Sequence, residues 1–159
     1  MTLVRPVLTR ALIVVVVTAL LLPLLPATPA HASDSRTIAQ IRNRIEYLIN
    51  RERARNGSGR LRPHDRTQYW ARDHSREMGR ARTIYHDSRL GYEIPARATS
   101  YGENVARTTA SDAASAAMRM FMASSGHRDN ILYSPWRRMG IGVAKRGNYT
   151  YITQRFWAR

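Results

Sequence analysis

From Ile38 onward, apolar residues recur at helical spacing. Ile38, Ile41, Ile45, Leu48 and Ile49 fall on one face, and Thr37 with Gln40 forms a capping-box pattern at the start. Asn56-Gly57-Ser58-Gly59 supplies the turn chemistry that ends this helix. Pro63 suits the start of a second helix, where Thr67, Trp70, Ala71, His74 and Met78 make an apolar-leaning stripe that stops by Gly79. Between Thr83 and Thr109 the periodicity lapses, punctuated by Gly91, Pro95 and Gly102, so mostly loop with short ordered pieces is expected. A third helix, capped by Ser111 or Asp112, would turn Ala113, Ala116, Ala117, Met120 and Phe121 inward and end at Gly126. After a short segment around His127 to Leu132, Met139, Ile141 and Val143 alternate with Gly140 and Gly142. That pattern is a strand whose glycine face lets another backbone or side chain approach closely. Arg146-Gly147-Asn148 makes a turn, and Tyr149 to Phe156 returns as the partner strand. No repeat or linker interrupts the order, and one α+β domain is expected.

The N-terminal stretch follows a different logic. Arg5 and Arg10 precede a nearly unbroken apolar run from Ala11 to Leu25, and Ala30-His31-Ala32 is an A-x-A pattern before Ser33. This predicts a secretory signal peptide over 1–32 and a single domain over 33–159, hence a secreted, extracellular protein. An uncleaved membrane anchor is the alternative. It is disfavoured because a span needs about 20 apolar residues, and this run is shorter and carries Pro23, with Pro26 and Pro29 close behind.

Composition narrows the chemistry. The chain has 159 residues and no cysteine, which excludes disulfides, thiolate zinc fingers, iron–sulfur clusters and cysteine nucleophiles. Its net charge is +15, falling to +13 when Arg5 and Arg10 leave with the leader, and Lys145 is the only lysine. Such a surface attracts anionic partners. The arginines are scattered through every segment, and no helix-turn-helix pattern or RNA-binding aromatic signature accompanies them. Anionic cell-envelope polymers or lipids are therefore expected as partners, and nucleic acid is not.

There is no G-x-S-x-G elbow, H-E-x-x-H helix, P-loop or dinucleotide fingerprint. His31 belongs to the leader, and His64 should be solvated at a helix start. His74, on the apolar-leaning face of the second helix, is expected as a hydrogen-bonded core residue rather than a ligand. His86, Glu103 and His127 lie in polar, glycine-containing surroundings. Two imidazoles and a carboxylate can hold zinc with a position open to water, or the carboxylate can act as a base. Separations of 17 and 24 residues force no meeting. A shared site and three independent polar contacts both remain open at this point.

The order Ile84-Tyr85-His86-Asp87-Ser88, Gly102-Glu103-Asn104-Val105-Ala106 and Ser124-Ser125-Gly126-His127-Arg128-Asp129-Asn130-Ile131-Leu132 resembles a CAP domain of the bacterial SCP-like branch. That superfamily includes the cysteine-rich secretory proteins, antigen 5 and the pathogenesis-related 1 proteins. Trp136-Arg137-Arg138-Met139-Gly140-Ile141-Gly142-Val143-Ala144 and the closing Tyr151-Ile152-Thr153-Gln154-Arg155-Phe156-Trp157 also fit. The resemblance implies a three-layer α-β-α sandwich with a small, mostly antiparallel sheet. It also implies a cavity lined by two histidines and two acids, where some relatives bind zinc or another divalent ion. Carried over, the histidines are His86 and His127 and the first acid is Glu103. The second acidic position falls at Ser124, a poor metal ligand and no base at neutral pH, so any zinc binding should be weak. Tyr85 and Tyr101 flank the cavity.

Asn104 should fix the loop beside Glu103, Arg128 pair with an acid, and Asn130 cap or brace its turn. Trp70, Met120, Phe121, Trp136 and Trp157 are expected in the core. The leading expectation is a secreted monomer that binds a divalent ion or a polar or lipid ligand. The alternative is a metal-assisted hydrolase of a peptide, ester or glycan bond, with Glu103 as general base beside His86 and His127.

Overall fold

The computed structural model describes residues 37–159, so the leader expected over 1–32 lies outside the described residues. Helix α1 (Ile38–Arg55) begins with a reciprocal cap. The Thr37 hydroxyl accepts from the Gln40 amide at 3.2 Å, and the Gln40 side chain accepts from the Thr37 amide at 2.7 Å. Ile41, Ile45, Leu48 and Ile49 are buried as their spacing predicts, while Ile38 stays largely exposed. Arg53 is also fully buried, its guanidinium donating to the carbonyls of Gly59, Ile131 and Tyr133.

Pro63 belongs to a two-residue strand, β1 (Arg62–Pro63), rather than to a helix. Helix α2 (Asp65–Ala81) starts two residues later with His64 as its cap. The His64 ring is not simply solvated. Its Nδ1 accepts from the Thr67 amide at 3.3 Å, and its edge meets the Trp157 indole at 5.1 Å.

The larger departure concerns the stretch expected to be mostly loop. After a short helix α3 (Leu90–Glu93) it forms β2 (Ser100–Thr108), nine residues paired antiparallel with the last strand from Ser100↔Ala158 to Thr108↔Thr150. Its alternation is hidden because Glu103 and Asn104, side by side and pointing to opposite faces, are both buried and polar. Strands β3 (Arg138–Arg146) and β4 (Tyr149–Ala158) form the expected hairpin about Gly147, whose φ of +56° suits glycine. The sheet order is β1-β3-β4-β2, with only the β1–β3 pair parallel.

Helices cover both sheet faces, giving the three-layer α+β architecture. Met139, Ile141 and Val143 of β3 join Ile152 and Phe156 of β4 against α1 and the α4–α5 pair. On the other face α2 lies directly upon the glycines of β3. A Cβ at Gly142 would run into the Ala71 carbonyl, and one at Gly140 into the Thr67–Gln68 peptide. Two hydrogen bonds close this seam, Ser75 to Thr153 at 2.8 Å and the Trp157 indole to Thr67 at 3.0 Å.

Helix α4 (Ala113–Ala123) is capped by Asp112, which accepts from the Ser115 amide. Met118, not Met120, joins Ala113, Ala117 and Phe121 in the core, and Met120 is about half exposed. Trp136 and Trp157 are buried, whereas Trp70 is only partly so. Gly126 does not end α4. Extended backbone at Ser124 breaks the helix, and Gly126 lies inside a further one, α5 (Ser125–Leu132).

The two kinds of glycine predict opposite responses. Gly142→Ala should lower stability by about 1–3 kcal/mol or more through overpacking. Gly126→Ala, with no atom within 4 Å of the added carbon, should be neutral or stabilising by about 0.4–1 kcal/mol. Urea unfolding of both variants checks the contrast.

Candidate functional site

The register of β2 on β4 sets Glu103 opposite Arg155. Arg155 is fully buried, on the α2 face of the sheet, and three carboxylates close around it. Its Nε donates to Glu103 Oε2 at 2.9 Å, its Nη2 to Asp87 Oδ2 at 2.5 Å, and its Nη1 to Glu93. Glu103 uses its other oxygen as well. Oε1 accepts from the Asp87 amide at 3.0 Å and bonds His86 Nδ1 at 3.1 Å. The carboxylate thus has both oxygens occupied. It orients the imidazole of His86, whose side chain is 65% exposed.

A second guanidinium lies over this cluster. Arg89 donates to Asp87 Oδ1 from Nε at 3.1 Å and from its amide at 2.9 Å, and its Nη2 reaches Glu77 Oε2 at 2.6 Å. Burial pushes the Asp87 carboxyl up, but hydrogen bonds from Arg89 and Arg155 outweigh it and hold the pKa well below the usual carboxylate range. For Glu93 burial prevails over Arg155, and its pKa is raised. Burial also opposes the charge on Arg155, yet its bonds to Glu93 and the field of Glu103 raise its pKa.

His127 belongs to α5, which is fastened to the opposite face of β2. Its carbonyl accepts from Asn104 Nδ2 at 3.1 Å, and its ring meets Phe121 edge-on at 5.3 Å. Burial lowers the His127 pKa, and the field of His86 lowers it further. Ser124 is the half-buried first residue before α5 and makes no side-chain cap bond. Tyr85 and Tyr101 are both exposed. The Tyr85 carbonyl accepts from His74 Nε2 at 2.8 Å, and the Tyr101 hydroxyl stands over Gly91.

The Gly102-Glu103-Asn104 triplet now has a local explanation. Gly102 leaves the room that the Asn130 amide fills. Glu103 turns to Arg155 and His86, and Asn104 turns the other way to the α5 backbone. Asn130 Nδ2 donates to Asn104 Oδ1 at 3.0 Å, and Asn104 also donates to Gln154 at 3.1 Å. Arg128 lies 4.0 Å from the exposed carboxylate of Asp129.

Sequence reasoning missed Arg155 and the carboxylates it gathers. One signal was available: a charged residue in the middle of a strand flanked by Thr153, Phe156 and Trp157 must be paired if that strand is buried. Asp87 stands next to His86 in the chain, and Glu93 lies in the same irregular stretch, before Glu103.

The family model of the CAP, Cysteine-rich secretory protein, family matches residues 46–157, and the chain belongs to that family. Among solved structures it is similar to an extracellular SCP-domain protein of Bacillus anthracis, with a TM-score of 0.65 and 27% identity, covering 77% of this chain and 43% of that one. An outer surface protein of Borrelia burgdorferi gives 0.69 at 14% identity, covering 78% and 96% of the two chains. A cysteine-rich secretory protein of Staphylococcus aureus gives 0.66 at 16%, covering 78% and 40%. The chain therefore spans less than half of the Bacillus and Staphylococcus proteins. No curated protein sequence matches it. Among the described residues no helix is long and apolar enough to cross a membrane.

Removing the guanidinium should leave buried carboxylates facing one another, so Arg155→Met should cost about 3–5 kcal/mol in chemical denaturation. Acid should act through the same cluster. The depressed Asp87 pKa contributes stability at neutral pH that is lost as pH falls below about 4, while the raised Glu93 pKa works in the opposite sense. Asp87→Asn should therefore flatten the acid limb of a stability–pH curve.

Proposed function

We propose that this is an exported CAP-domain binding protein that holds a divalent ion or a polar ligand between His86 and His127. The observation that carries the reading is that both oxygens of Glu103 already have partners. A general base needs a carboxylate oxygen free to take a proton from water. Here one oxygen is ion-paired to buried Arg155, and the other already meets an amide and His86. The hydrolase alternative would have to break that arrangement, whereas a binding role uses it, because Glu103 fixes the exposed His86 ring.

The donor set fits a weakly held cation. His86 has Nε2 left beyond its bond to Glu103, His127 is depressed toward its neutral, ligating form, and Ser124 replaces a carboxylate. A bound ion would supply a positive centre for a ligand oxygen. Export is supported by the leader pattern and by the extracellular and outer-surface relatives. The arginine-rich surface suits retention on anionic envelope polymers or lipids, and such retention would weaken with added salt.

Calorimetric zinc titration tests the site. His86→Ala and His127→Ala should each weaken the same single equivalent of zinc by about tenfold or more, with zinc-free melting curves unchanged. Equal affinity in the parent protein and both variants would overturn the reading.

A further inference from the structure

His74 adjoins the Glu103 cluster, its Nε2 lying 4.0 Å from Glu103 Oε1, yet one of its ring nitrogens has no partner there. The imidazole is fully buried on α2. Its Nε2 bonds the Tyr85 carbonyl at 2.8 Å, which requires a proton on that nitrogen and leaves Nδ1 with a lone pair. Nδ1 has no hydrogen-bond partner. It points between Glu77 Oε2 at 3.6 Å and Asp87 Oδ2 at 3.7 Å, both anionic oxygens. A lone pair facing two carboxylates is repelled by them, and a proton on Nδ1 would be too far from either oxygen for a good hydrogen bond.

From this geometry we infer a second metal site, in which His74 Nδ1, Glu77 and Asp87 ligate a zinc-class divalent cation. The three ligand atoms lie within 4.8 Å of one another. Zinc bound at about 2.0–2.1 Å in a tetrahedron spaces its ligands about 3.4 Å apart, and His74 Nδ1 already stands 3.6 and 3.7 Å from the two carboxylate oxygens. One nitrogen and two carboxylate oxygens suit a borderline divalent ion, with the remaining position open. The bond from Nε2 to a backbone carbonyl is the outer contact that metal-bound histidines characteristically make, and it holds Nδ1 as the ligating atom.

Charge supports the same site. Glu77, Asp87, Glu93 and Glu103 bring four negative charges, while Arg89 and Arg155 bring two positive ones. A divalent ion cancels the remainder. With a proton on Glu93 the cluster still carries net negative charge. Entry is from the Glu77 side, where that side chain is 25% exposed. Arg89, about half exposed, now bonds Glu77 Oε2 and would give that bond up to the ion, while keeping its bond to Asp87 Oδ1, and Arg155 stays on Asp87 Oδ2.

The test is zinc titration of the His86→Ala/His127→Ala double variant, followed by nitrogen NMR of its remaining imidazoles. One equivalent should still bind, the His74 Nδ1 resonance should move, and Nε2 should stay protonated. Adding Glu77→Gln, a partly exposed position that leaves the core intact, should weaken binding by about tenfold or more without changing the zinc-free melting curve. The proposal is overturned if no zinc binds to the double variant, if zinc binds without moving His74 Nδ1, or if Glu77→Gln leaves the affinity unchanged. The His86–His127 reading depends on a different equivalent, so either can fail alone.

Discussion

A buried guanidinium with three carboxylates around it organises one whole side of this domain. Arg155 comes from the strand at the centre of the β3–β4–β2 run, and its partners come from the α2–α3 connection, α3 and β2. Taking these charges from water is expensive, and each is tolerable only while the others are in place. The cluster therefore acts as a geometric lock. It pins Asp87, whose amide helps hold Glu103, and Glu103 in turn aims His86 outward. The long irregular stretch between α2 and β2 is placed by ion pairs where the rest of the domain relies on apolar packing.

That arrangement separates two roles that a histidine–glutamate pair might combine. Glu103 is ion-paired to Arg155 and bonded to His86, which suits the positioning role proposed for it. On the function proposed above, the accessible chemistry lies with the exposed His86 and with His127, which is tied to the same strand through Asn104. Neighbouring residues on β2 thus serve opposite faces: Glu103 builds the cluster under α2, and Asn104 fastens α5 beyond it. A single-residue shift of β2 against β4 would exchange those faces and dismantle both.

Much of the scaffold could be read from the chain because its signals are local. The capping box at Thr37, the α1 stripe and the Gly140/Gly142 face against α2 all follow from spacing and side-chain size. The motifs carried by His86, Glu103 and His127 pointed to the right family. Strand β2 was hidden because its central side chains are buried polar groups, which erase the alternation that marks a half-buried strand. Helix α5 was hidden because Gly126 resembles a stop signal while Ser124 makes the break. Arg155 escaped notice because its meaning depends on partners 52, 62 and 68 residues away. For the same reason the orphaned Nδ1 of His74 becomes visible only when Tyr85 and the two carboxylates are seen around it.

Nitrogen-15 NMR of the arginine side chains tests the lock most directly. A guanidinium held by three carboxylates in the dry interior should give Arg155 separate, slowly exchanging Nη protons, unlike the surface arginines. Averaged, rapidly exchanging signals for Arg155 would mean that the ion cluster is open to water and that Glu103 has an oxygen free to take a proton.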